Sequence, residues 1–152
     1  MRQLFRQLIL IIAAVSSGFV LAQGAPELPA KSYILIDAAS GQILLSKNPN
    51  EKLPPASITK LMTAYLVVEA LENGKLTPDT PITVSQNAYK QEGSRMFIEV
   101  NKQVLVQDLL QGLIIQSGND AAVALAEYLG GSMDGFTEMM NRKAAQLGMK
   151  DT

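Results

Sequence analysis

The chain of 152 residues contains neither cysteine nor histidine. Disulfide bonds and thiolate or imidazole metal sites therefore cannot hold it together, and a hydrophobic core must do so. Its length is typical of one domain, and 47% of its residues are hydrophobic against 18% charged, which is enough for such a core. The lack of histidine also excludes catalysis by Ser-His-Asp and Cys-His groups, so an activated serine would need another base.

The charge balance argues against a nucleic-acid partner. Lysine and arginine together number 13 and the acidic residues 14, which gives a net charge of −1. Proteins that bind nucleic acid neutralise phosphates with a local excess of basic residues. We therefore expect no nucleic-acid partner.

The N-terminus has the pattern of a secretory signal peptide. Arg2 and Arg6 precede the apolar run Leu8–Ala22, which is short for a membrane-spanning helix. The run ends in small residues that suit cleavage after Ala22, and Gly24 and Ala25 are close alternatives. We predict that residues 1–22 are removed and that the mature protein works in the periplasm or on the outer face of the cytoplasmic membrane. An uncleaved signal anchor is the alternative.

Residues 23–152 alternate β-type and helical runs, a pattern that predicts a mixed α+β domain. Short strands are expected at Ser32–Asp37, Gln42–Ser46, Pro81–Val84 and Met96–Val100, and helices at Ser57 to about Asn73, Val106–Gln116, Asp120–Leu129 and Ser132–Leu147. The first two strands are joined by a loop of hairpin length. Their continuous apolar character predicts that helices cover both faces of the hairpin. The helix from Ser57 is apolar on most sides and is expected to be buried.

A serine and a lysine stand three residues apart at the start of this helix, in the sequence Ser57-Ile58-Thr59-Lys60. Side chains at i and i+3 of a helix share a face and can meet. The first helical turn also favours a developing negative charge at Ser57. A lysine whose pKa is lowered by apolar surroundings can remove a serine proton. An N-cap serine followed by a solvated lysine would give the same spacing.

A second polar group, Ser117-Gly118-Asn119, separates two helical segments. Such a turn can direct a hydroxyl and an amide into a cleft. Ser117 could relay a proton between Lys60 and a leaving group, and Asn119 could hydrogen-bond a peptide-like carbonyl. An ordinary turn, in which Asn119 or Asp120 caps the following helix, is the alternative.

Four stretches of the chain, in order, resemble the low-molecular-mass penicillin-binding proteins, which are secreted serine D-alanyl-D-alanine carboxypeptidases. The stretches are Ser32–Gly41 (SYILIDAASG), Pro54–Thr63 (PPASITKLMT), Gly93–Phe97 (GSRMF) and Ile114–Ala121 (IIQSGNDA). The resemblance implies a β-lactamase/transpeptidase-like fold, with helices packed on an antiparallel sheet. It makes Ser57 the acylated nucleophile, Lys60 its general base, Ser117 a proton relay and Asn119 a substrate-positioning residue.

The same resemblance implies a substrate and a class of inhibitor. The substrate would be a peptidoglycan stem peptide ending in D-Ala-D-Ala, cut through an acyl-enzyme on Ser57 during cell wall biogenesis. Penicillins and other β-lactam antibiotics would acylate the same serine. The resemblance implies no metal and no other cofactor.

The third motif of this family, Lys-Thr-Gly on a late strand, does not occur in these 152 residues. In the family, that strand binds the substrate carboxylate and flanks the oxyanion hole. Losing one oxyanion donor costs a factor of ~10²–10³ in rate in a well-studied protease. We therefore expect this sequence to be the N-terminal portion of a longer protein, nearly inactive alone, whose membrane association would depend on a C-terminal anchor.

Two other functions are compatible with the sequence. A class A β-lactamase shares the Ser-x-x-Lys motif, although its second motif usually has aspartate where this chain has Gly118. Its deacylating glutamate would lie beyond Asn119, where Glu127 and Glu138 are candidates. The second alternative is a truncated, non-catalytic penicillin-binding scaffold, which the absence of Lys-Thr-Gly favours.

Overall fold

The computed structural model describes residues 26–152, so the predicted signal peptide, residues 1–22, lies outside the described residues. The chain divides into two compact units, and the boundary lies between Leu53 and Pro54.

The first unit contains the predicted hairpin. Strand β1 (Tyr33–Ile36) pairs antiparallel with strand β2 (Ile43–Lys47), and Tyr33 lies opposite Lys47. The expected helical cover is not found within the described residues of this unit. Ile34 and Ile43 are 48% and 57% exposed, because the described residues of this unit, 26–53, contain no helix that could pack on either face.

The second unit, residues 54–152, consists of helices and one small sheet. A short 3₁₀ helix at Ala56–Thr59 comes first, and the α-helices are α1 (Lys60–Glu72), α2 (Gln86–Tyr89), α3 (Val106–Ile115), α4 (Asn119–Gly130) and α5 (Met133–Gln146). Strands β3 (Pro81–Thr83) and β4 (Gln103–Leu105) pair antiparallel. These elements confirm the α+β class and three of the predicted helices to within about two residues.

Helix α4 lies at the centre of the second unit, where it packs against the other four α-helices and β3. Its many alanines allow these neighbours to approach closely. Leu125 of α4 is fully buried together with Val67 of α1 and Leu109 of α3. Burying one such side chain stabilises the fold by roughly 1.5–3 kcal/mol. The start of helix α4, at Asn119, is therefore held in place by the packing of this helix in the core.

The first long helix differs from its prediction in two respects. Its α-helical part begins at Lys60, because Ala56 has a left-handed φ of 47° after two prolines and the next residues form the tighter 3₁₀ turn. It is also not buried on most sides, since Ile58 and Leu61 are 69% and 70% exposed. Ser57, the predicted nucleophile, therefore lies in the 3₁₀ turn, and Lys60 is the first residue of α1.

The predicted strand at Met96–Val100 is wrong, and β4 at Gln103–Leu105 pairs with β3 in its place. The reason is a competing set of hydrogen bonds. The backbone N–H groups of Met96, Phe97 and Ile98 all donate to the Asp120 side chain. Donors committed to a carboxylate cannot form a strand ladder, which needs them in register with a neighbouring strand.

Candidate active site

The predicted serine–lysine pair is present in the structure. Residues three apart in a 3₁₀ turn are eclipsed, so Ser57 and Lys60 face the same side of the chain. The Lys60 Nζ lies 3.3 Å from the Ser57 Oγ. Ser57 is exposed and Lys60 is half-buried. Ser57 does not cap α1, because the N-cap position belongs to Thr59.

Asn119 meets the same lysine from the start of α4. The Lys60 Nζ donates to the Asn119 Oδ1 at 2.6 Å, and the Asn119 Nδ2 donates to the Glu92 carbonyl oxygen at 2.5 Å. These partners fix the orientation of the amide, because its oxygen must face the donor and its nitrogen the acceptor. The Nδ2 carries two N–H groups, so a second one remains for a ligand carbonyl.

This arrangement suits Lys60 for accepting a proton. A neutral lysine amine has two N–H groups and one lone pair. When one N–H group is directed at the Asn119 Oδ1, the amine can turn its lone pair toward the Ser57 Oγ. Asn119 can therefore orient the base as well as position a substrate.

Ser117 is placed less directly. Its backbone has a left-handed φ of 54°, which is uncommon for a residue with a side chain and is found disproportionately at functional sites. In the part of the chain that the structure describes, no hydrogen bond joins Ser117 to Lys60 or Ser57. The structure therefore links three of the four predicted site residues, Ser57, Lys60 and Asn119. The proton-relay role of Ser117 stays a prediction.

The role of Asp120 could not be predicted from its place in the sequence. It is 1% exposed, which makes it the most deeply buried of the polar side chains described. Its Oδ1 accepts the N–H groups of Met96 and Ala121 at 3.0 and 2.9 Å, and its Oδ2 accepts those of Phe97 and Ile98 at 2.8 and 3.3 Å. The one available sequence signal was an aspartate directly after the second motif, at the start of an otherwise apolar helix.

The two glutamates considered for a β-lactamase have other partners. Glu127 accepts hydrogen bonds from the Ser85 hydroxyl at 2.5 Å and the Asn87 amide at 2.8 Å. Glu138 lies on an exposed face and pairs with Arg142 at 3.5 Å. Among residues 26–152, neither carboxylate is hydrogen-bonded to Ser57 or Lys60.

Two further structural observations concern metals and membranes. Among residues 26–152, no three acidic side chains are grouped closely enough to form a metal site. None of the helices in the same range has the length and apolarity needed to cross a membrane.

Comparison with known families identifies the family of this chain. Residues 20–152 match the family model described as D-alanyl-D-alanine carboxypeptidase. The chain belongs to this family. The match confirms the resemblance inferred from the four sequence stretches.

Curated relatives agree with this assignment to the carboxypeptidase family. D-alanyl-D-alanine carboxypeptidase DacF of Bacillus subtilis is 45% identical over 123 residues, which cover 81% of this chain and 32% of that protein. D-alanyl-D-alanine carboxypeptidase DacD of Escherichia coli is 41% identical over 162 residues, which cover 99% of this chain and 42% of that protein. A D-alanyl-D-alanine endopeptidase of Pseudomonas aeruginosa is 36% identical over 147 residues, covering 93% and 46%.

Solved structures place the fold in the same group. The D-alanyl-D-alanine carboxypeptidase DacD of Francisella tularensis superposes with a TM-score of 0.77 at 38% identity, covering 92% of this chain and 34% of that one. Penicillin binding protein 5 of Haemophilus influenzae gives a TM-score of 0.77 at 43% identity, covering 84% and 38%. These matches confirm the transpeptidase-like fold. The chain spans about a third to two fifths of the length of DacF, DacD and these two structures.

Proposed function

We propose that the protein is a serine D-alanyl-D-alanine carboxypeptidase that removes the terminal D-alanine from peptidoglycan stem peptides. One observation carries the proposal: the Lys60 Nζ lies within hydrogen-bonding distance of both the Ser57 Oγ, at 3.3 Å, and the Asn119 Oδ1, at 2.6 Å. In a chain without histidine, this arrangement provides a base, a nucleophile and a group that orients the base.

The reaction follows from the roles of these groups. Lys60, acting as the general base, takes the hydroxyl proton of Ser57, and the Ser57 Oγ bonds to the carbonyl carbon of the penultimate D-alanine. The peptide C–N bond breaks, and the terminal D-alanine leaves with a proton returned from Lys60, for which Ser117 is the proposed relay. Water then hydrolyses the ester and regenerates the Ser57 hydroxyl.

Two parts of the site bear on recognition of the substrate. The second N–H group of the Asn119 amide is the proposed donor to a carbonyl of the stem peptide. The backbone N–H of Ser57 is the proposed oxyanion donor within these residues. A β-lactam presents a reactive amide to the same groups, so we propose that it acylates Ser57.

The proposed place of action rests on the sequence of the N-terminus. Arg2 and Arg6 followed by the apolar run Leu8–Ala22 form the pattern of a secretory signal. We propose that the mature protein acts on the cell wall from the periplasm or the outer face of the cytoplasmic membrane, in cell wall biogenesis and the maintenance of cell shape. Membrane association through a C-terminal anchor stays a prediction from the family resemblance.

The test is acylation of Ser57 by a fluorescent penicillin, together with release of D-alanine from a D-Ala-D-Ala tripeptide. We expect a covalent adduct on the wild-type protein and none on the Ser57→Ala variant, which should also lose whatever D-alanine release the wild type shows. Ser46→Ala, which removes an exposed hydroxyl from β2, is the matched control and should react like the wild type.

Other outcomes identify the alternatives. An adduct of equal yield on Ser57→Ala would refute the assignment of the nucleophile. Rapid turnover of a cephalosporin by the wild type, without D-alanine release, would indicate a β-lactamase. Tight non-covalent binding of the peptide, with neither an adduct nor D-alanine release, would indicate a scaffold.

A further inference from the structure

Asp120 lies directly after Asn119 in the sequence and holds a different part of the chain. The segment Glu92–Ile98, which we call the flanking segment, runs past the start of α4. At its C-terminal end, three consecutive backbone N–H groups, those of Met96, Phe97 and Ile98, donate to the Asp120 carboxylate. The Ala121 N–H donates a fourth hydrogen bond to the same carboxylate, so that each of its two oxygens accepts two bonds.

The flanking segment needs this support. Phe97 has a left-handed φ of 63°, which is unfavourable, and its side chain is 73% exposed, with the Arg95 guanidinium 4.7 Å from the ring centre. Ile98 anchors the C-terminal end of the segment in the core, but no such burial holds Phe97. A carboxylate that accepts several backbone N–H groups stabilises such a segment, because charge-assisted hydrogen bonds are about twice as strong as neutral ones. Gly118 leaves room for the carboxylate, since a Cβ there would lie 3.0 Å from the Asp120 Oδ1.

The N-terminal end of the flanking segment holds Asn119. The Asn119 backbone N–H donates to the Ser94 carbonyl at 2.7 Å, and its Nδ2 donates to the Glu92 carbonyl at 2.5 Å. Gly93 lies against this amide, because a Cβ at that position would be 3.1 Å from the Asn119 Nδ2. Moving the segment would therefore remove the acceptor that keeps the Asn119 Oδ1 directed at Lys60.

We propose that Asp120 is a positioning residue: it fixes the flanking segment, and that segment fixes the Asn119 amide against Lys60. The catalytic part of this proposal rests on the proposed function, whereas its geometric part does not. Asp120 acts only through Asn119 and would touch neither substrate nor Ser57.

Asparagine cannot replace Asp120 in this role. Each carboxylate oxygen accepts two N–H groups, so an amide in either orientation would direct its NH₂ group at two backbone donors. Asp120→Asn therefore loses two of the four hydrogen bonds and places donors against donors. Gly118→Ala is a milder variant: its new methyl group would lie 3.0 Å from the Asp120 Oδ1 and 3.3 Å from the Gly112 carbonyl oxygen, so these neighbours must give by a few tenths of an ångström.

The experiment measures β-lactam acylation of the whole protein by stopped flow and separates amplitude from rate. A loss of stability alone lowers the amplitude, because fewer molecules are folded, but the folded ones react at the normal rate. We expect Asp120→Asn to lower the acylation rate constant of the folded fraction about 10- to 100-fold, and Gly118→Ala to lower it several-fold. Phe136→Ala, which removes a buried ring from α5, should lower only the amplitude.

A normal acylation rate constant in the folded fraction of both Asp120→Asn and Gly118→Ala would overturn the proposal. A wild-type protein that forms no adduct would overturn the proposed function instead, and NMR would then decide the geometric part. Shifted Asn119 side-chain amide signals, with faster exchange of the Met96 to Ile98 amides, would support positioning by Asp120. Unchanged Asn119 signals in a folded variant would overturn it.

Discussion

The ion pair between Glu69 and Lys143 gives a quantitative test of how α1 and α5 are held together. The Lys143 Nζ lies 2.6 Å from the Glu69 Oε1, and the two side chains are 15% and 36% exposed respectively. The ammonium also lies 5.6 Å from the centre of the Tyr65 ring, within range of a cation–π interaction. Lysine is therefore the more deeply buried partner, and this asymmetry determines which substitution should be more harmful.

The magnitude follows from the two environments. At this separation, with an effective dielectric constant of about 20, the Coulomb attraction is roughly 6 kcal/mol, much of which offsets the desolvation of both ions. Removing one partner of a fully buried pair costs ~3–5 kcal/mol. Because Glu69 is partly hydrated already, we expect Glu69→Gln, which isolates the buried ammonium, to cost ~2–3 kcal/mol. Lys143→Met keeps the apolar stem of the side chain and leaves Glu69 as a hydrated carboxylate, so we expect it to cost about 1 kcal/mol in the free energy of unfolding.

Urea denaturation of four proteins at neutral pH measures these free energies: the wild type, the two single variants and the double variant. The double variant should be more stable than Glu69→Gln alone, because it no longer buries an unpaired charge. Glu138→Gln, which breaks the exposed pair with Arg142, is the control and should change stability by less than about 0.5 kcal/mol. Equal costs for the two single variants, or a greater cost for Lys143→Met, would refute the reasoning from burial.

Two further predictions concern other parts of the chain. Gly112→Ala should lower the free energy of unfolding by ~1–2 kcal/mol in urea denaturation, because the new Cβ overlaps the Met96 side chain and this overpacking outweighs the gain in helix propensity. Gln111→Ala, at an exposed neighbouring position, is the control and should be neutral. A stabilised Gly112→Ala variant would contradict the prediction. In the β1–β2 loop, hydrogen bonds from the Ser40 side chain and backbone hold the pKa of Asp37 below its usual value. These bonds therefore stabilise the folded protein fully at pH values above the pKa of Asp37 in the unfolded chain, and this stabilisation is lost as the pH falls through its pKa in the folded protein. NMR titration should show a higher Asp37 pKa in Ser40→Ala, and an unchanged pKa would exclude the hydroxyl as the main cause.

The sequence was informative where structure depends on residues close in the chain. The spacing of Ser57 and Lys60 predicted their contact, and it holds even though the local turn is 3₁₀ rather than α, since both geometries place i and i+3 on one side. The β1–β2 hairpin was also predicted correctly, because its loop length and turn residues determine it locally.

Prediction failed where distant residues decide the conformation. Met96–Val100 has the composition of a strand, but Asp120, more than 20 residues later, takes its backbone donors. Burial was overestimated for a related reason. The apolar side chains of β1, β2 and one face of α1 suggested covered surfaces, yet hydropathy gives no information on which described element, if any, lies against them.

The site therefore combines two kinds of structural determinant, with different consequences for its robustness. The Ser57–Lys60 contact is set by one turn and would survive any change that leaves that turn intact. The Asn119 contact with Lys60 needs α4 to be packed in the core and the flanking segment to be held by Asp120. Perturbations far from Ser57 should then disturb the orientation of the base before they disturb the nucleophile. Loss of acylation rate should consequently precede loss of the serine–lysine contact as tertiary packing weakens.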